Sequence, residues 1–275
     1  MAQTQGAQAF GGKESPLLVA DGVTLQYKTT DHLVTATWRV SFEVFTGERF
    51  VLLGPSGCGK STLLKAIAGF MQPVEGAFRL AGKPITKPGS DRMMVFQEFD
   101  QLLPWKTVLG NVMFPLVVNR RMSRNDAREH ARQLLAKVNL SRFEDVHPHM
   151  LSGGMKQRTA IARALAMEPK VLLMDEPFAA LDALTRRKMQ EELVALWEEV
   201  GFTVIFVTHS IEEAIVVGSR ILVLSPHPGR VKAELNAHEF GLAHQGSAEF
   251  RALDRRIHDM LFHERGDARQ AAGHA

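Results

Sequence analysis

The densest chemistry in the sequence is the run Gly54-Pro55-Ser56-Gly57-Cys58-Gly59-Lys60-Ser61-Thr62. It fits the pattern G-x-x-x-x-G-K-[ST], which carries meaning when a strand precedes it and a helix follows. Both conditions hold: Phe50-Val-Leu-Leu53 is an apolar strand run, and Leu63–Ala68 reads as a helix stopped by Gly69. The glycines let the backbone turn its N–H groups inward, and the helix start adds partial positive charge, so the loop is suited to phosphate. Lys60 can reach β- and γ-phosphates, and the Ser61 hydroxyl can sit on magnesium. Cys58, the single cysteine, reads as a structural residue of this loop. A second constellation is Val171-Leu-Leu-Met-Asp-Glu-Pro177, an apolar strand that ends in two carboxylates. There Asp175 can hold the magnesium shell, and Glu176 can take a proton from an attacking water. A third is Ser152-Gly153-Gly154, which leads into a helix over Met155–Met167 and makes a second glycine-rich helix start of the same electrostatic kind.

The elements that must position these residues follow from hydrophobic periodicity. Alternating segments at Val23–Tyr27 and Trp38–Phe42 suggest half-buried strands joined by a polar turn. Continuous apolar runs at Phe50–Leu53, Met93–Phe96, Val171–Met174, Phe202–Val207 and Ile221–Leu224 suit a sheet covered on both faces, so the fold class is α/β. Ser123 can cap a helix with Ala127, Ala131, Leu134, Leu135 and Val138 on one face. Another helix starts near Asp182, buries Met189, Leu193, Leu196 and Val200, and ends at Gly201. Residues 100–150 lack a strong strand run and read as a largely helical insertion. Phe250, Leu253, Ile257 and Leu261 mark a last amphipathic helix, suited to docking on its own domain or to a membrane or partner. Residues 1–16 and 266–275 read as disordered tails.

Composition narrows the classes. The 275 residues are enough for one large domain or two small ones. Net charge is +3, and the basic residues are scattered without a run, which gives nucleic-acid binding no support. One cysteine excludes an intrachain disulfide framework and is compatible with a reducing compartment. The first sixteen residues lack a charged start followed by an apolar stretch, so no signal peptide is expected. No apolar run reaches the roughly 18 residues of a membrane span, so membrane association is expected to be peripheral.

Leu151-Ser-Gly-Gly154, lying between the phosphate loop and Asp175, resembles the signature sequence of ATP-binding cassette (ABC) ATPases. Further landmarks follow the family order: Val95-Phe-Gln97 resembles the Q-loop, Ala180-Leu-Asp182 the D-loop and Val207-Thr-His209 the switch histidine. Tyr27, the only tyrosine, sits where the family has an aromatic that stacks on adenine. The resemblance runs from about Val19 to Val231. It implies a P-loop NTPase cassette with a RecA-like core sheet, an antiparallel β subdomain and a helical signature subdomain at about 98–165. The ATP-binding domain would span 17–240, with the C-terminal helix in 241–265. By resemblance, Lys60, Ser61 and Thr62 bind phosphates and magnesium, and Gln97 touches magnesium and the attacking water. Glu176 is the base, and His209 holds the γ-phosphate and Glu176 in register. Ser152, Gly153 and Gly154 complete the site of a second copy, and Asp182 communicates across that interface. Met155 stands where many members have Gln, and Ser210 where Asp is common.

Finer likeness lies in Ala68-Gly-Phe70, Leu103-Pro-Trp105, Asp175-Glu-Pro-Phe178, Ile211-Glu-Glu-Ala214 and Ser225-Pro-His-Pro-Gly-Arg230. Together these resemble the bacterial nitrate, sulfonate and taurine importers. That resemblance implies a peripheral ATPase at the cytoplasmic face of the inner membrane, acting on ATP and Mg2+. Its partners would be a second copy, integral-membrane permease subunits touching Glu98–Trp105, and indirectly a periplasmic solute-binding protein. A soluble ABC ATPase unlinked to transport, or a small-molecule kinase or GTPase, would be the rival readings. The first usually carries long coiled-coil insertions or a tandem cassette, absent here; the second leaves Leu151–Gly154 and His209 unexplained.

Overall fold

The computed structural model describes residues 15–28, 32–97, 101–119 and 121–262; the expected tails at 1–16 and 266–275 lie outside them except for residues 15 and 16. The chain opens with β1 (Leu18–Lys28), β2 (Leu33–Val44) and β3 (Arg49–Leu53), followed by α1 (Lys60–Ala68). β4 (Glu75–Leu80), β5 (Lys83–Pro84) and β6 (Arg92–Val95) precede three helices, α2 (Val108–Val118), α3 (Arg124–Lys137) and α4 (Gly153–Leu165). The remainder alternates: β7 (Val171–Asp175), α5 (Ala183–Val200), β8 (Val204–Thr208), α6 (Ile211–Val217), β9 (Arg220–Leu224), β10 (Val231–Asn236) and α7 (Ala248–Phe262).

Among the described residues the strands form two sheets. One is antiparallel, in the order β2-β1-β4-β5; the other runs β10-β9-β3-β8-β7-β6, parallel except for the β9–β10 pair. Every residue of β3, β7, β8 and β9 is buried, which explains why their sequences are runs rather than alternations. The alternation survives as a choice between two cores. Val51, Leu53, Leu172, Met174 and Phe206 point to the helical side, with α2 to α7. Phe50, Leu52, Leu173, Ile205 and Val207 point to the side shared by α1 and the antiparallel sheet. Side chains of successive strand residues face opposite ways, so one strand serves both cores.

Helix starts and stops follow their caps. Ser123 accepts from the Asp126 N–H ahead of α3, and Asp182 accepts from the Thr185 N–H ahead of α5, which ends at Gly201 in the left-handed region. Val200, expected in the buried stripe of α5, is instead exposed: it is the last helical residue and lies beyond the face that meets the core. α4 starts two residues before Met155, because Ser152 is the capping residue and both glycines lie inside the helix. α2 is apolar on several sides and contains Pro115. α7 packs Phe250, Ile257 and Leu261 against α6 and β9.

Candidate active site

The central strands deliver the reactive residues to one edge. In the sheet β3, β8, β7 and β6 are neighbours, with Leu53 level with Thr208, Asp175 with Val207, and Val95 with Met174. The loop after β3, Glu176 after β7, His209 after β8 and Gln97 after β6 therefore leave the sheet at the same end. In parallel α/β sheets that end is where ligands bind.

Gly59 caps α1 with φ 94°, and no side chain caps that helix. A Cβ at Gly59 would meet the Ala36 carbonyl at 2.6 Å, so glycine is required by both conformation and space. At Gly54 a Cβ would meet Cys58 Sγ at 2.7 Å. The Cys58 side chain is buried in the core, and burial pushes its thiol pKa up, so only its backbone belongs to the loop. Ser56 and Gly57 form the exposed rim, while Pro55, Ser61 and Thr62 are half-buried. Lys60 is 4% exposed. Its Nζ donates to the carbonyls of Gly54 (2.7 Å) and Pro55 (3.0 Å) and lies 4.0 Å from Glu176 Oε1.

The carboxylates are divided between two tasks. The Ser61 hydroxyl donates to Asp175 Oδ1 at 2.7 Å. Burial raises the Asp175 pKa, opposed by that hydrogen bond, while the neighbouring Glu176 charge adds to the rise. Glu176 has φ 43°, a left-handed conformation that costs a non-glycine residue about 1 kcal/mol or more. Its N–H is held by the Val207 carbonyl at 3.0 Å, and its Oε2 lies 2.8 Å from His209 Nδ1. The backbone strain thus accompanies a side chain placed between Lys60 and His209.

Ser61, Asp175 and Gln97 line one open cavity of about 630 Å³ together with Lys65, Phe96, Gln101 and Arg163. Ser61 and Asp175 offer hard oxygen donors side by side, and the Gln97 amide faces the same space, a set that suits Mg2+. Tyr27, near the end of β1 and opposite Val34, is 45% exposed. Ser152, Gly153 and Gly154 are not among the residues lining the cavity. Ser152 is exposed and caps its own helix, and a Cβ on Gly154 would meet Thr185 Cγ2 of α5 at 3.2 Å. The pKa of Asp182, at the start of α5, is lowered by hydrogen bonds from Thr185.

Residues 38–179, which hold the glycine-rich loop after β3 and the Asp175-Glu176 pair at the end of β7, match one family model, described as ABC transporter. The chain belongs to the ABC transporter ATP-binding family. It is 47% identical over 247 residues to the taurine import ATP-binding protein TauB of Rhizobium johnstonii, covering 87% of this chain and 93% of that one. It is 46% identical over 215 residues to an uncharacterized ABC transporter ATP-binding protein of Methanocaldococcus jannaschii, covering 78% and 80%. Among solved structures it resembles the ATP-binding cassette MJ0796, a dimer in a post-hydrolysis state with ADP and Pi. That match has a TM-score of 0.70 and 36% identity, over 81% of this chain and 100% of that one. The cbiO1 protein of Clostridium perfringens, part of the ABC transporter complex cbiONQ, matches with a TM-score of 0.74 and 29% identity over 90% and 99%. The chain is accordingly an ABC-type ATPase with the α/β cassette fold.

Several residues of this ABC site were not readable in the sequence. Gly229 presses on the phosphate loop: a Cβ there would lie 2.1 Å from the Cys58 carbonyl. Gly229 N–H donates to Ala36 O and Trp38 N–H donates to Gly229 O, each at 2.9 Å, so β2 and the β9–β10 turn wall the loop together. Pro228-Gly229 is a turn signal, but nothing local to it indicates what the turn touches. Gln101 brackets Phe96 with bonds to its N–H (3.2 Å) and carbonyl (2.9 Å), and the Gln101 carbonyl accepts from Arg163 of α4 at 2.7 Å. Ser210 caps α6 by accepting from the Glu213 N–H. The departure at 210 therefore keeps a capping oxygen. Met155 packs half-buried against the helical-side core.

Proposed function

We propose that the chain is the ATP-hydrolysing subunit of an importer for a small sulfonate of the taurine type. The observation that carries the ATPase mechanism is the juxtaposition of Lys60, the Ser61–Asp175 pair and the Glu176–His209 pair at one sheet edge. The α1 N-terminus and the loop N–H groups receive the β- and γ-phosphates, and Lys60 exchanges its loop carbonyls for phosphate oxygens. Ser61, Asp175 and Gln97 would hold Mg2+, which offsets phosphate charge when bound. Glu176 accepts a proton from the attacking water, and His209, engaged through Nδ1, turns its other ring nitrogen toward the γ-phosphate. Tyr27 offers its exposed ring for stacking on adenine.

The signature residues Ser152, Gly153 and Gly154 serve a second copy: Ser152 is exposed and Gly153 half-buried at a glycine-rich helix start, with Gly154 buried behind them, and none of the three lines the cavity of their own chain. Two chains then close head to tail on two ATP molecules, with Leu184, 82% exposed beside Asp182, available to that interface. The permease would dock near Trp105, 72% exposed at the end of the segment after Gln97; Glu98, Phe99 and Asp100 of that segment lie outside the described residues. In this reading a helical unit at about 98–165 sits within an ATP-binding domain of 17–240, and the helix in 241–265 follows it. No helix among the described residues is long and apolar enough to cross a membrane, which suits a peripheral subunit at the cytoplasmic face.

Growth tests the importer reading. A deletion strain of the source organism should fail on taurine or another sulfonate as sole sulfur or nitrogen source. Wild type should restore growth and Lys60→Ala should not. Failure confined to nitrate would move the substrate class to an inorganic anion, and normal growth on every source, with no permease co-purifying, would refute the importer.

A further inference from the structure

The switch histidine is supported by a buried carboxylate, Glu213 of the Ile211-Glu-Glu-Ala214 segment, to which the sequence assigned no role. Glu213 is 6% exposed, in the first turn of α6, and lines a small cleft of about 40 Å³ with Glu176, His209, Arg186, Ala179, Thr208 and Ser210. Burying a carboxylate is costly unless it is hydrogen-bonded. Both of its oxygens are spent on other elements. Thr208 donates its hydroxyl to Oε2 at 2.5 Å, and Gln190 of α5, itself buried, donates Nε2–H to Oε1 at 3.0 Å. The same Thr208 oxygen accepts the Ser210 N–H at 3.0 Å, and Ser210 Oγ accepts the Glu213 N–H at 3.3 Å. The residues on both sides of His209 are therefore bonded to Glu213, directly or through one hydroxyl.

Resting on the ATPase reading above, we propose that Glu213 is a positioning residue for hydrolysis. It fixes the backbone on either side of His209 and ties it to α5, so that the imidazole stays within reach of Glu176. Helix capping alone does not account for the arrangement, because Ser210 already caps α6 and the carboxylate makes no bond to that helix's own N-terminus. Burial pushes the Glu213 pKa up, opposed by Thr208 and Gln190, then by the charges of Arg186 and His209. Asp182 caps α5, so the clamp also links the helix behind Asp182 to the residue placed to meet the γ-phosphate.

The test compares Glu213→Leu with Glu213→Gln in the full chain, reading steady-state ATPase, ATP affinity and melting temperature. Leucine keeps the volume and removes both acceptors; glutamine keeps one acceptor, and the Gln190 amide can turn to present its oxygen. Expected is a fall in kcat of about tenfold for leucine, with KM for ATP within twofold, and recovery by glutamine to within threefold of wild type. Should the leucine variant not fold, Thr208→Ala against Thr208→Ser makes the same comparison at the other end of the bond, with the loss expected only for alanine. The proposal is overturned if leucine or alanine leaves kcat intact, if glutamine or serine gives no recovery, or if kcat falls only in step with ATP binding and melting temperature. His209→Ala is run alongside. If it hydrolyses ATP like wild type, the underlying mechanism has failed, and that result is distinct from a failure of Glu213 alone.

Discussion

Two helices of this protein begin on glycines, and they begin differently. α1 starts under Gly59 in a left-handed turn with no side-chain cap, and its first residue is a lysine buried to 4% exposure. β2 and the β9–β10 turn enclose that start, and a helix start of this kind suits an anion. α4 starts under Ser152, which satisfies the Met155 N–H with its own hydroxyl, and the serine faces solvent. The same partial charge is thus offered in one case to a walled pocket and in the other to an open surface. On the proposed reading, the first start would receive phosphate within its own chain and the second, exposed at Ser152, would serve a second copy.

Substitutions at the two starts separate these roles, and the largest effect is expected beside the walled one. Glu176→Gln should slow hydrolysis by about a thousandfold while ATP still binds, and should accumulate an ATP-dependent dimer by size-exclusion chromatography. Full activity as a monomer would dissolve the comparison. Lys60→Ala removes a charged donor from the loop and should weaken ATP binding by about a hundredfold in equilibrium titration. Tyr27→Ala should raise KM for ATP about tenfold with kcat held, and Tyr27→Phe should restore it. Ser152→Ala, at the open start, should lower hydrolysis about fivefold through the lost cap. That loss should deepen when protein concentration is lowered, since it acts between chains. Concentration-independent loss would place α4 within its own site.

The smallest effect concerns stability. Burial holds the Asp175 pKa above the unfolded value of 3.8, so the folded chain binds more protons than the unfolded chain in the window above 3.8. Stability therefore falls as pH rises through the folded pKa, and the penalty is fully present at neutral pH. Asp175→Asn should melt about 2 °C higher at pH 7, and the gain should vanish as pH falls toward 3.8. A gain that grows in acid would reverse the assigned sign.

The parts legible in the sequence were those whose meaning is local. Gly59-Lys60-Ser61 carries its own turn and charge, and Ser123 and Asp182 cap the helices they precede. The runs of β3, β7, β8 and β9 showed burial on both faces but not the order of the strands; the separate sheet of β1, β2, β4 and β5 came from the antiparallel β subdomain that the resemblance implied. α2 was hidden because its apolar residues lie on several sides and Pro115 interrupts the pattern. Glu213 was unreadable for another reason. A carboxylate in the first turn of a helix is ordinary, and only Gln190 and Thr208, brought from other elements, make it a clamp.

The wall around the phosphate loop has a consequence for synthesis. β3 hydrogen-bonds to β8 and β9, and the loop that follows it leans on Gly229. As the chain leaves the ribosome, Lys60 emerges long before either strand neighbour of β3 exists, and contacts of such sequence separation form late. A nascent chain ending before Val204 carries the whole phosphate-binding motif yet lacks the sheet that shapes it. A nucleotide that binds only the finished sheet would favour the completed chain by mass action.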